Sequence, residues 1–141
     1  MEPELTVTST LESRVESVDV AEEAVRRFTL EAGFDESDQY FIGLAAREIL
    51  INAVKHGNGF DRNKKIAVRM SKDDENLMIE VTDEGNGFQL ESVPDPRAPE
   101  NLERRSGRGL AIALAIMDEF RVEKNSPHGT HIRMLKRIKK S

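Results

Sequence analysis

The sequence predicts an α+β fold in two layers, a mixed and mostly antiparallel sheet covered on one face by helices. Three observations predict it. First, "KIAVRM" (Lys65 to Met70) and "NLMIEVTD" (Asn76 to Asp83) alternate apolar and polar residues at the period of a strand. Second, two segments ahead of them repeat apolar residues at helical spacing. Third, the order reads strand, two helices, two strands, loop, helix, two strands, which groups helices against a sheet instead of alternating them with parallel strands.

Each element has its own signal. "ELTVTST" (Glu4 to Thr10) reads as a short, polar edge strand. A helix is predicted from about Glu12 to Ala32, with Val15, Val18, Ala21, Val25 and Phe28 on one stripe and Gly33 ending it. Asp35 and Ser37 are capping candidates for a second helix that runs to about His56 and is broken by Gly57 and Gly59. "SKDDEN" (Ser71 to Asn76) is the turn of a β-hairpin. Residues 89–106 hold Pro94, Pro96 and Pro99 among charges and read as a long loop. A third helix is predicted from near Gly107 to about Phe120. "RVEKN" and "GTHIRMLKR" then form two final strands turned by "SPHG".

Composition narrows the class. The 141 residues suit one domain, are 38% hydrophobic and 33% charged, and contain no apolar run of membrane-spanning length. Neither a membrane association nor direct nucleic-acid binding is expected. The absence of cysteine excludes disulfides, thiolate metal sites and cysteine nucleophiles. With no secretory signal in "MEPELTVTST", a cytoplasmic location is expected. The net charge of −5 is uneven: residues 1–60 carry 12 acidic and 5 basic side chains, residues 121–141 carry 1 and 7. The basic end, "KRIKK", reads as a solvated tail or as a contact for phosphates. The three histidines, His56, His128 and His131, have no carboxylate cluster beside them in sequence, and a transition-metal site is not expected.

Four stretches hold residues suited to chemistry. In the second helix Phe41, Ala45, Glu48 and Asn52 share a face, and Glu48 and Asn52 lie among apolar neighbours. They are either a surface stripe or a site, since an Asn oxygen can ligate Mg²⁺ and a carboxylate one turn earlier can accept a proton. Asp83 shares the parity of Leu77, Ile79 and Val81, so a carboxylate closes a core-facing row. Such a group could accept from the exocyclic amine of adenine, with Gly85 and Gly87 letting a flat base approach; the same residues also suit an ordinary turn. Gly107 and Gly109 would bare amides at a helix start where phosphate binds, with Arg104, Arg105 and Arg108 nearby, although small residues there also serve packing. Thr130, in parity with Ile132 and Met134, turns a hydroxyl inward, toward a base edge or toward backbone.

In combination these stretches resemble the GHKL ATPase superfamily. "EILINAVKHG" is similar to its N box, "DEGNGF" to its first glycine box, "GRGL" to its second, and "GTHIRM" to its closing GT motif. The resemblance spans about Leu5 to Lys136. The sequence holds no phosphoacceptor-histidine helix pair and no second domain of the gyrase or MutL kind. With its short Pro-rich lid it looks like the RsbW-type anti-sigma factor serine/threonine kinases.

That resemblance implies a Bergerat fold binding ATP and Mg²⁺ in a single domain over 1–141, with a lid at about 89–106. Glu48 would match the catalytic base, Asn52 the Mg²⁺ ligand and Asp83 the adenine-reading acid flanked by Gly85 and Gly87. Gly107, Gly109 and Leu110 would match the phosphate-side turn, Thr130 a second adenine-side contact, and Arg105 or Arg108 a γ-phosphate contact. His56 matches the end of the N box without an assigned role. The implied partners are a sigma factor and a STAS-type anti-sigma antagonist phosphorylated on Ser or Thr, and relatives of this size often form homodimers. The three lid prolines depart from some relatives and motivate an alternative, an ATP-binding partner switch that transfers no phosphate.

Overall fold

A computed structural model describes residues 5–59, 61, 63–84, 115–124 and 129–138, with the side chains of 56, 57 and 124 outside the description. Five strands form one sheet: β1 (Leu5–Glu12), β2 (Lys65–Lys72), β3 (Asn76–Asp83), β4 (Glu119–Lys124) and β5 (Thr130–Arg137). Their order is β1-β2-β3-β5-β4, and every described pairing is antiparallel. Helices α1 (Val15–Glu31) and α2 (Glu36–Asn52) pack on β2 and β3.

The core follows the alternation of the strands. Ile66, Val68 and Met70 of β2, Leu77, Ile79 and Val81 of β3, and Ile132 and Met134 of β5 are buried together. Against them lie Val18, Ala21, Val25 and Phe28 of α1 and Ile42, Ala45, Ala46, Ile49 and Leu50 of α2. Burying such side chains contributes about 1.5–3 kcal/mol each, which holds the two layers together.

The chain ends its elements by local devices. Gly33 takes φ +98° after α1, a backbone conformation that favours glycine. Asp35 caps α2, its side chain accepting from the Asp38 amide at 2.8 Å. Asp73 Oδ1 accepts from the amides of Glu75 and Asn76, both at 2.7 Å, which closes the β2–β3 turn. Those two bonds hold the Asp73 carboxyl below its ordinary range.

Long-range pairing moves three boundaries from their sequence-based positions. Leu11 and Glu12 pair with Ile66 and Lys65, so β1 extends past Thr10 and takes Glu12 from the first helix. The helix starts at Val15, which is 51% exposed and leaves the buried stripe to begin at Val18. The third helix, predicted to reach Phe120, ends its described part at Ile116. Asp118 is tied to β5 through its amide to Leu135 O (2.8 Å) and through its carboxylate from the Arg137 amide (2.7 Å), and Glu119 and Phe120 enter β4. Finally, α2 stops at Asn52, and Ala53–Gly57 continue as a π-helical turn.

On the outer side of the helices, Arg47 binds Asp19 (2.8 Å) and Glu22 (3.2 Å), and Arg26 binds Glu22 (3.1 Å). The two partly exposed Arg47 pairs tie α2 to α1, the Arg26 pair lies within α1, and each contributes little. A side chain at Gly43 would collide with the Arg26 guanidinium, so glycine makes room for that arginine.

Candidate functional site

The site is built where three elements end: the C-terminal end of α2 with its π turn, the end of β3, and the start of β5. β3 carries Asp83 on its buried side, as the period of two requires, and the carboxylate is 3% exposed. A buried carboxylate needs partners. Asp83 Oδ1 accepts from the Thr130 amide at 3.0 Å. β5 reaches that position through Gly129, which takes φ +105°; a Cβ there would collide with the Asp83 carbonyl oxygen. The glycine is therefore required by the close approach of β5 to β3.

Thr130 is fully buried, and its Oγ1 has no hydrogen-bond partner among the described residues. A hydroxyl left in that state is costly in a core. It lies on the residue whose amide meets the buried acid.

Asn52, the last residue of α2, is 7% exposed, and its amide makes no hydrogen bond among the described residues. One turn earlier, Glu48 is half-buried. Burial pushes the Glu48 carboxyl above its ordinary range, and the charges of Arg47 and Lys55 oppose this only in part. Ala45 on the same face is fully buried, whereas Phe41 is exposed and meets Tyr40 edge-to-face at 5.3 Å. The face therefore turns from solvent at Phe41 to interior at Asn52.

The π turn after Asn52 packs against β3, and it ends at Asn58, whose amide donates to Ala53 O at 2.8 Å. Asn58 is buried, and its side chain bonds both β2 and the residue after Asp83. In the sequence "GNG" reads only as a helix breaker, which leaves Asn58 out of the candidate site. The available signal was an amide, able both to donate and to accept, directly after a helix that ends beside a hairpin.

Asp83 and Thr130 are thus in direct contact, and Asn52 and Glu48 lie along the helix that is tied to the end of β3. Gly85, Gly87, Arg105, Gly107, Arg108, Gly109, Leu110 and the lid lie outside the described residues, as does the side chain of His56.

The histidine kinase-like ATPase domain family matches residues 11–136, nearly the whole chain and all three elements of the site. The chain belongs to that family. This ATPase domain shares 31% identity over 99 residues with the anti-sigma F factor of Clostridium novyi, covering 67% of this chain and 68% of the relative. It shares 27% over 112 residues with the serine-protein kinase RsbW of Oceanobacillus iheyensis, covering 75% and 70%. Among solved structures, the RsbU and RsbW domains of a Mycobacterium tuberculosis protein superpose with a TM-score of 0.68 at 24% identity, over 96% of this chain and 32% of that one. A histidine kinase domain from Erythrobacter litoralis gives 0.57 at 17%, over 86% and 59%. At these identities the two structures show the fold, and the ATPase domain spans about a third of the first protein's length.

The residues present fit a magnesium nucleotide. The buried acid and the hydroxyl without a partner among the described residues suit the amine and ring nitrogens of a purine, and the Asn52 side chain has an oxygen suited to a hard cation.

Proposed function

We propose that this protein is an ATP-dependent anti-sigma regulatory kinase. It phosphorylates an antagonist protein of STAS type on Ser or Thr and sequesters a sigma factor. The names of its relatives, anti-sigma F factor and serine-protein kinase RsbW, support the partner classes. The observation that carries the nucleotide reading is the pairing of buried Asp83 with Thr130, whose hydroxyl is left unbonded.

In this reading Asp83 accepts from the adenine amine and Thr130 Oγ1 meets the base edge directly or through water. Asn52 would hold Mg²⁺, which would neutralise phosphate charge. Glu48 receives the proton of the acceptor hydroxyl as that oxygen bonds to the γ-phosphorus and the bond to the β,γ-bridging oxygen breaks, releasing ADP. Burial of Glu48 suits this role, because a raised pKa makes the ionised carboxylate a stronger base. Positioning and electrostatics carry most of such a reaction.

Glu48→Gln tests the proposal. The variant should keep ATP affinity and lose phosphotransfer to a co-purified antagonist by at least about a hundredfold. Unchanged transfer would remove Glu48 from the chemistry. A protein that binds ATP and never transfers phosphate in either form is the partner switch instead.

A further inference from the structure

The antiparallel ladder of β2 and β3 runs out at Ile66 and Asp83. Beyond it the two strands are joined by side chains. Glu84 Oε2 accepts from the Lys65 amide at 2.7 Å. Asn58 Nδ2 donates to the Lys65 carbonyl at 3.1 Å, and Asn58 Oδ1 accepts from the Glu84 amide at 2.8 Å. The chemistry of the two partners fixes the orientation of the amide, since a carbonyl needs the NH₂ end and an N–H needs the oxygen. Asn58 is 3% exposed, so water does not compete for these bonds.

The position of this amide gives it a second consequence. Asp83 is held on one flank by β5, through the Thr130 amide on its carboxylate and the abutting Gly129. On the other flank the next residue, Glu84, is held by Asn58. Asn58 in turn ends the π turn that continues α2, six positions beyond Asn52. One buried side chain therefore links the acid at the end of β3 to the helix that carries Asn52 and Glu48.

We propose that Asn58 is a positioning residue of the nucleotide pocket, setting the spacing between the base-reading acid Asp83 and the metal- and phosphate-side face of α2. This rests on the nucleotide reading given above. A ligand that engages both ends of the pocket depends on that spacing, whereas one that engages only the acid does not. ATP is the first kind and adenosine the second.

The test measures Mg·ATP and adenosine affinity by calorimetry, with thermal unfolding alongside, for wild type, Asn58→Ala and Asn58→Asp. Asn58→Ala removes both arms and should weaken ATP about tenfold relative to adenosine. Asn58→Asp keeps an acceptor for the Glu84 amide and loses the donor to Lys65. It should return the ratio of the two affinities to within about threefold of wild type while unfolding earlier than wild type. ATP and adenosine weakening in parallel with stability in both variants, or an unchanged ratio in Asn58→Ala, would overturn the positioning role and leave the nucleotide site intact. A wild type that binds neither ligand would overturn both readings. Should Asn58→Ala fail to fold, amide exchange in the wild type decides the matter. Saturating Mg·ATP should slow exchange at Glu84 together with Thr130, and no change at Glu84 would overturn the proposal.

Discussion

Replacing Thr130 by valine should make the free protein more stable and the nucleotide complex weaker. Thr130 is fully buried and its Oγ1 has no partner among the described residues, while its backbone amide is already used by Asp83. Valine has nearly the same shape, fits a β-strand, and removes only the unbonded hydroxyl. Burying an unsatisfied hydroxyl costs about 1–3 kcal/mol in proteins, of which part is recovered by the methyl group. A gain of about 1 kcal/mol in the free protein, or a rise of about 3 °C in Tm, is the expected size for a domain of this length. With Mg·ATP saturating, the hydroxyl gains its partner, and its loss should cost a neutral hydrogen bond, about 1 kcal/mol or fivefold in affinity. Thermal unfolding with and without Mg·ATP reads both effects in one assay, as a smaller ligand-induced shift from a higher starting point. A Thr130→Val protein that melts earlier than wild type and binds ATP equally well would show that Oγ1 serves the fold, and the reasoning would fail.

Other perturbations separate the parts of the site. Asp83→Asn keeps an oxygen for the Thr130 amide at 3.0 Å but loses the charged acceptor, so ATP affinity should fall about tenfold to a hundredfold with stability little changed, as titration and urea unfolding would show. Gly129→Ala places a Cβ against the Asp83 carbonyl at φ +105° and should cost about 1–3 kcal/mol in urea unfolding, while a wild-type midpoint would contradict the close approach. Because burial raises the Glu48 carboxyl, phosphotransfer should rise with pH through a value above the ordinary glutamate range, and a pH–rate profile should show that limb. The same shift has the opposite sign for stability. A raised folded-state pKa contributes stability in acid that is lost as pH rises through it, so Glu48→Gln should be neutral to stabilising near pH 7 and flatten the pH dependence of unfolding.

What could be read in advance was local. The period of two along "NLMIEVTD" places Asp83 inside with Leu77, Ile79 and Val81, and it is buried there. Gly33 after α1, Asp35 before α2 and the hairpin turn at Asp73 are likewise decided by residues a few positions apart. The misplaced boundaries were all settled by partners far along the chain. Glu12 is drawn into β1 by Lys65, and Asp118 is tied down by Leu135 and Arg137 before β4 begins. The π turn at Ala53–Gly57 and the bonds of Asn58 to Lys65 and Glu84 depend on where the hairpin sits, which no helical pattern records. Asp83, Asn52 and Thr130 stood out as residue types at a spacing, and all three are buried. That the Thr130 hydroxyl has no partner among the described residues and that Gly129 has no room for a side chain required the fold.

The most direct measurement is a side-by-side titration of the wild-type protein with Mg·ATP and Mg·GTP. A buried carboxylate at the base can accept from the 6-amine of adenine and is repelled by the 6-carbonyl of guanine, so ATP should bind at least about tenfold tighter than GTP. Equal affinity for the two nucleotides, or binding of neither, would contradict the assignment of Asp83 and Thr130 as the end of the pocket that reads the base.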